Sequence, residues 1–352
     1  MPLPEKRLSP HRVQFEKNLS NREVQQLADD FDLQILQCDS PVDSRTWDRL
    51  DGDLFQNRPE IELRVFGFYS SVYDLSFVHR LPHVRRFSAD RLMRGTGVEH
   101  LATMEQLEWL SVDIFNLENF EFLQGIPNKI TKLSLGPTRS KKPQLHDLCR
   151  FRSLKTLYLE GQQQGIEVLS DLLTLEELTL RSITTKGLHF IANLPRLWSL
   201  DIKLGGIRDL SAIGGKESVK YLELWQVRGL ADLSAVSSLM GLQYLFLQSL
   251  RNVTAIPDLS KLQNLRRIYL ENMKGLKDVK ALHSAPALEE FIHVSAQNME
   301  VEDYKYLLEI PTLKRVLVGF ESDRKNQTFK DMAASRGIHE LSGLHSKPFA
   351  FS

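Results

Sequence analysis

Apolar residues recur along this chain in blocks of three, the second and third lying three and five positions after the first. Twelve such blocks follow one another every 21–25 residues. They are Leu63-Phe66-Phe68, Val84-Phe87-Ala89, Leu107-Leu110-Val112, Ile130-Leu133-Leu135, Leu154-Leu157-Leu159 and Leu175-Leu178-Leu180, followed by Leu197-Leu200-Ile202, Val219-Leu222-Leu224, Leu242-Leu245-Leu247, Leu265-Ile268-Leu270, Leu288-Phe291-His293 and Leu313-Val316-Val318. The alternation at the end of each block is that of a strand with one buried face. A second apolar series at a spacing of about three follows the strand, as in Val253, Ile256, Leu259 and Leu262, or Ile207, Leu210 and Ile213. Each unit therefore predicts a short strand, a turn and an irregular or short helical return. One unit cannot bury its apolar edge alone, whereas stacked units share a continuous core.

Three returns carry a common step: Ile207-Arg208-Asp209-Leu210, Leu230-Ala231-Asp232-Leu233 and Leu276-Lys277-Asp278-Val279. With the block pattern, these segments resemble the leucine-rich repeat family, in its short internalin-like class of about 22–23 residues per repeat. The resemblance implies an α/β solenoid with a curved, parallel sheet on its concave face, short helical or irregular convex returns, and helical caps at both ends. The family places Asn three residues after the last strand leucine. Here that position holds Gln162, Ile183, Gly205, Val227, Leu250 and Met273, so the turn is expected to be looser or differently bonded.

Three regions are expected: 1–60 as an N-terminal cap with an irregular insertion, 61–320 as about twelve repeats, and 321–352 as a C-terminal capping helix and tail. Ser20 and Glu23 form a capping-box pattern ahead of a helix over 22–31, with Val24, Leu27 and Phe31 on one face. Leu33-Leu36-Cys38 would be a first, degenerate strand. Trp47, Leu50 and Leu54 give the insertion some packing, and Asp51-Gly52-Asp53 reads as a plain turn because the remaining ligands of a calcium loop are missing. A helix over 323–336 buries Phe329 and Met332 and stops at Gly337. The segment Pro348-Phe349-Ala350-Phe351 reads as tail or docked strand. His293, at an inward position, is expected to be a hydrogen-bonded core histidine.

Lys+Arg and Asp+Glu both number 45, so the formal net charge is zero, which argues against gross electrostatic capture of nucleic acid or anionic membrane. Arg85-Arg86, Arg91 and Arg94 form a local basic cluster that reads as a solvated face. Only two cysteines occur, and the N-terminal sequence lacks an apolar secretory core. Both point to a reducing, cytoplasmic setting, with a specialised secretion route still compatible. No apolar run long enough to span a membrane is present.

No nucleotide loop, nucleophile elbow or zinc-ligand spacing occurs, so neither a catalytic residue, a metal nor a cofactor is expected. The outward strand positions carry the information instead. The middle one runs Gly67, Ser88, Ser111, Ser134, Tyr158, Thr179, Asp201, Glu223, Phe246, Tyr269, Ile292 and Leu317. The position before it includes Tyr221, Tyr244 and Arg267, and the position after it Arg181, Lys203, Trp225, Gln248 and Glu271. Tyr221, Trp225, Tyr244, Phe246 and Tyr269 then fall on three adjacent strands about 4.8 Å apart. Asp201, Glu223, Arg267, Glu271, Arg181 and Lys203 surround them. Aromatic anchors ringed by polar groups are the composition of a protein interface. The expectation is a non-catalytic module that grips an unidentified partner protein, with an inhibitor or immunity-type protein as one specific form. The alternatives are an enzyme centred on Asp201, Glu223 and Glu271, or a self-assembling structural protein. The oligomeric state stays open.

Overall fold

A computed structural model of the chain describes residues 6–67 and 72–341. Phe68 and the Pro348–Phe351 tail lie outside the described residues. The chain divides by its internal packing into two compact units, Met1–Leu175 and Glu176–Ser352.

In the first unit, β1 (Lys6–Ser9) and β2 (Arg12–Phe15) form an antiparallel hairpin. Parallel strands then stack on β2: β3 (Ile35–Cys38), β4 (Glu62–Phe66), β6 (Arg86–Leu92), β8 (Trp109–Ile114), β9 (Lys132–Leu135) and β10 (Thr156–Glu160). A separate two-stranded sheet joins β5 (Val72–Asp74) to β7 (Arg94–Thr96). The second unit stacks β11 (Glu177–Arg181), β12 (Ser199–Lys203), β13 (Tyr221–Trp225), β14 (Tyr244–Gln248), β15 (Arg267–Glu271), β16 (Glu290–Val294), β17 (Arg315–Val318) and β18 (His339–Glu340), all parallel. Sequence neighbours are sheet neighbours throughout this stack, and most of the returns carry short 3-10 turns. This is the expected leucine-rich-repeat fold.

The inward members of the blocks line up from strand to strand. Leu200, Leu222, Leu245, Ile268, Phe291 and Val316 form one buried row, and Ile202, Leu224, Leu247, Leu270, His293 and Val318 the next. The first block is the exception. Leu63 pairs with Phe87 and Val65 with Ala89, so Leu63 and Val65 hold the inward positions assigned to Phe66 and Phe68. The outward residue of β4 is Arg64, in register with Ser88, rather than Gly67. Phe66 is also buried, and two overlapping apolar alternations in Leu63-Arg64-Val65-Phe66 made the register ambiguous.

The turns replace the missing Asn with backbone geometry. Two residues past the last inward strand residue, Ser182, Leu204, Gln226, Ser249, Asn272 and Ser295 all take positive φ between 51° and 58°. In that conformation Leu204 N donates to Trp225 O at 2.9 Å, Gln226 N to Gln248 O at 2.9 Å, and Ser249 N to Glu271 O at 2.9 Å. The next residue then buries its side chain: Ile183, Val227, Leu250 and Met273 are all enclosed. Gln162 alone among these positions keeps an amide, and its Nε2 donates to Gly136 O at 2.8 Å. The aspartates of the common step cap the returns. Asp209 accepts from Ser211 N at 2.7 Å, Asp232 from Ser234 N at 2.8 Å, and Asp278 from Lys280 N at 2.8 Å. The bond to Ser211 holds the Asp209 carboxyl below its ordinary range.

At the N-terminal end α1 (Asn21–Ala28) carries the full capping box, with Val24 and Leu27 buried. The helix ends before Phe31, which is 90% exposed and leaves the apolar face expected of it. The insertion is helical: α2 (Ser44–Arg49) runs into a π-helical segment over Leu50–Phe55 that buries Leu50, Leu54 and Phe55. Asp51 lies inside that segment instead of a plain turn, and its carboxylate accepts from His83 N at 3.0 Å. At the other end α3 (Asp323–Ala334) buries Phe329, while Met332 is only half-buried and Gly337 takes positive φ beyond the helix. Among the described residues, no helix is long and apolar enough to cross a membrane.

His293 is fully enclosed, with its Nδ1 2.7 Å from the Tyr304 hydroxyl. Burial drives its pKa down to about 4. An unfolded histidine titrates near about 6.5, so the unfolded chain binds more protons between these values. The contribution of neutral His293 to stability is intact above about pH 6.5 and falls away as pH drops towards 4. We expect His293→Leu with Tyr304→Phe to flatten the melting temperature between pH 7 and 5. His293→Leu alone should cost about 1–3 kcal/mol at pH 7 by stranding the tyrosine hydroxyl. Parallel pH profiles for wild type and double variant would remove this assignment.

The turns generate a second expectation. Ser249 at φ 54° tolerates Gly but not a β-branched side chain. Ser249→Val should lower stability in urea by about 1–2 kcal/mol, and Ser249→Gly should change it by well under that.

Candidate functional site

The strand register of the second unit places nine of the ten expected residues on the outward face of four strands. In the first outward column Tyr221 pairs with Tyr244, Tyr244 with Arg267, Arg267 with Glu290, and Glu290 with Arg315. In the middle column Asp201, Glu223, Phe246, Tyr269 and Ile292 follow one another. In the third, Lys203, Trp225, Gln248, Glu271 and Val294 do. Tyr158 lies in the first unit, where its hydroxyl donates to Glu160 at 2.6 Å.

Side chains within each column touch because parallel strands bring equivalent positions to about 4.8 Å. The rings of Tyr221 and Tyr244 stack with centroids 5.0 Å apart and planes within 8°. The Arg267 guanidinium lies 5.7 Å from the Tyr244 ring, and its Nε donates to Glu290 at 2.6 Å. Arg315 closes on the other side of Glu290. Mutual shielding leaves Tyr221 and Tyr244 only 8% and 9% exposed, and Arg267 and Glu290 only 2% and 1%. Arg267 is therefore a buried member of a ladder, not the rim charge that its sequence position suggested.

The half-buried residues form the part of the face that solvent reaches. Phe246 and Tyr269 lie 4.7 Å apart at 43°. The Tyr269 hydroxyl donates to Glu271 at 3.0 Å, and Gln248 Nε2 donates to the other Glu271 oxygen at 2.8 Å. Trp225 lies under the Arg181 guanidinium at 5.6 Å, and its indole N–H is screened from solvent without a hydrogen-bond partner. Lys203 Nζ bridges Glu223 at 3.0 Å and Asp201 at 3.5 Å. The Tyr221 hydroxyl donates to Glu223 at 2.7 Å. Burial, followed by the Glu223 charge, raises the Tyr221 pKa, and burial raises that of Tyr244 to about 12. Both phenols therefore stay protonated at neutral pH, and Tyr221 serves as the donor to Glu223. Asp201, Glu223 and Glu271, on which a catalytic alternative rests, all have such partners.

Sequence reasoning left Glu290 out of the site, although it holds the same strand position as Arg267 one repeat later. Opposite charges at equivalent positions in successive repeats were the signal. Gln248 was seen as a neighbour but not as the amide that orients Glu271.

The outward face of the first unit has a different chemistry. Trp109 is flanked by Lys132 at 4.1 Å and Arg86 at 6.0 Å, and Arg86 remains exposed, as expected of the solvated basic cluster. Arg64 donates to Gln37 at 2.8 Å and pairs with Asp90. Burial, then the charges of Asp90 and Glu160, pushes the Asp113 carboxyl up to about 6.

Because Arg267 and Glu290 are both enclosed, removing Arg267 takes away one of the two arginines that balance the buried Glu290 carboxylate. Arg267→Met should cost about 3 kcal/mol or more in urea unfolding, whereas Tyr269→Ala should cost distinctly less. Equal costs would mean that Tyr269 is as structural as the ladder.

No family model matches the sequence, and no curated protein matches it. Several solved structures do match in shape. An internalin from Listeria monocytogenes aligns at 18% identity with a TM-score of 0.59, over 87% of this chain and 86% of that one. A leucine-rich-repeat protein from Leptospira interrogans aligns at 15% identity and a TM-score of 0.51, over 92% and 93%. The mouse RP105/MD-1 complex supplies a chain at 16% identity and a TM-score of 0.58, over 88% of this chain and 55% of that one. At these identities the likeness is one of fold, and by fold this chain is a leucine-rich-repeat solenoid.

Proposed function

We propose that this chain is a non-catalytic binding module that holds a partner protein on the outward face of strands β13 to β15. The observation that carries this reading is the layering of that face. A column of stacked and ion-paired side chains, Tyr221, Tyr244, Arg267 and Glu290, flanks half-exposed Trp225, Phe246 and Tyr269. Large aromatic groups held in place beforehand lose little freedom on binding, which favours affinity per contact. Glu223, Glu271 and Lys203 at their margin favour selection of a complementary surface. The mouse structure of similar fold is itself a complex of two named components, which is compatible with this use of the fold. A specific form of such a module is an inhibitor or immunity-type protein that blocks its partner by occlusion.

Tyr244 is a poor probe of this surface because its ring is part of the stack. The informative variant is Trp225→Ala with Tyr269→Ala. We expect it to reduce capture of the native partner, identified by affinity purification and mass spectrometry, by at least about tenfold, in line with the loss of two aromatic anchors. Its melting temperature should stay close to wild type. Undiminished capture by a folded double variant would exclude this face.

A further inference from the structure

Three successive turns of the second unit set a cation at the same distance beyond their left-handed residues. Gln226, Ser249 and Asn272 take positive φ, and Arg228, Arg251 and Lys274 follow them by two residues. All three cations are exposed. They line one cleft with Asn252 and Gln226, over turn residues Leu204, Ser249 and Asn272. Arg228 also lines a second cleft, with Lys186, Arg208 and Thr184. Five basic residues therefore face two clefts joined at Arg228. No Asp or Glu lines either one, in a chain whose acids and bases balance at 45 each.

The nearby acids are engaged elsewhere. Asp209 accepts from Ser211, Asp232 from Ser234, and Asp278 from Lys280, each capping a return. The Arg208 side chain lies across Gly229 of the next repeat, where an added Cβ would meet its Nε at 2.6 Å. Equivalent turns recur at about the strand spacing of 4.8 Å, so the cations form a row and not a single point charge. Three of the five are arginines, whose planar forks suit carboxylates. Neither cleft is lined by an aromatic residue on which a nucleic-acid base could stack.

We propose that this row of cations, on the turn edge of the second unit, docks an extended Asp/Glu-rich peptide segment. The site is separate from the aromatic face and does not depend on it. Carboxylates along the peptide would accept from the Arg228 and Arg251 guanidinia and from Lys274, with Asn252 and Gln226 supplying neutral contacts. Attraction along such a row is long-ranged and screened by salt.

The test uses the full chain and a fluorescently labelled peptide of ten glutamates, read by anisotropy, beside a ten-glutamine peptide and a fifteen-residue oligothymidylate. We expect the glutamate peptide alone to bind. Its affinity should fall about tenfold between 50 and 300 mM NaCl, because screening shortens the reach of each charge. Arg228→Glu with Arg251→Glu should weaken it by at least about tenfold, since each site changes from attraction to repulsion. Arg228→Gln with Lys274→Gln, a milder pair, should weaken it less, and circular dichroism of both variants checks the fold. Equal binding by folded charge-reversed protein, no binding of the glutamate peptide, or tighter binding of the oligothymidylate would each overturn the proposal.

Discussion

Parallel pairing without slippage is the constraint on which the second unit depends. Each strand repeats the position of its predecessor one backbone spacing away, so any residue meets its own equivalents rather than a mixed environment. On the inward side this yields rows of leucine and isoleucine that exclude water. On the outward side the same rule makes columns, in which aromatic, basic and acidic groups succeed one another and are satisfied by neighbours. The left-handed residue after each strand keeps the rule in force. It returns the chain while passing its amide to the next repeat, so strand and turn share one hydrogen-bonded lattice. The carboxylate caps at Asp209, Asp232, Asp258 and Asp278 complete their repeats with a purely local interaction.

Much of this was legible in the sequence, because a block of leucines encodes both the strand and the direction of its side chains. The outward columns of the second unit followed directly. Where two alternations overlapped, as in Leu63-Arg64-Val65-Phe66, hydrophobicity alone could not choose the register, and pairing with Phe87 and Ala89 decides it. The β1–β2 hairpin escaped notice because β1 is exposed along its whole length and carries no apolar signature. Phe31 was drawn into a helical face by spacing, although the helix had already ended. The inaccessibility of Arg267 was hidden for another reason. It arises from Tyr244 and Glu290, each 23 residues away, and burial by lateral neighbours has no local signature.

Net charge was similarly blind to arrangement. A formal total of zero is compatible with segregation, and the fold produces it. Acids collect where they cap returns or receive tyrosine hydroxyls, while a set of arginines and lysines is left along the turn edge. The two surfaces are built from different parts of the repeat, the strand and the turn, and can therefore vary independently in composition.

The column arrangement also bears on how such a surface can change over time. Inserting one whole repeat between β14 and β15 would leave every inward leucine beside another apolar residue, so the interior would accept the event. Every outward column would acquire a new junction at that point: Tyr244 would lose Arg267, and Phe246 would lose Tyr269. A single unequal recombination could thus replace the recognition surface in one step at little risk to folding. In this architecture a change of copy number would edit specificity coarsely, and a point substitution finely.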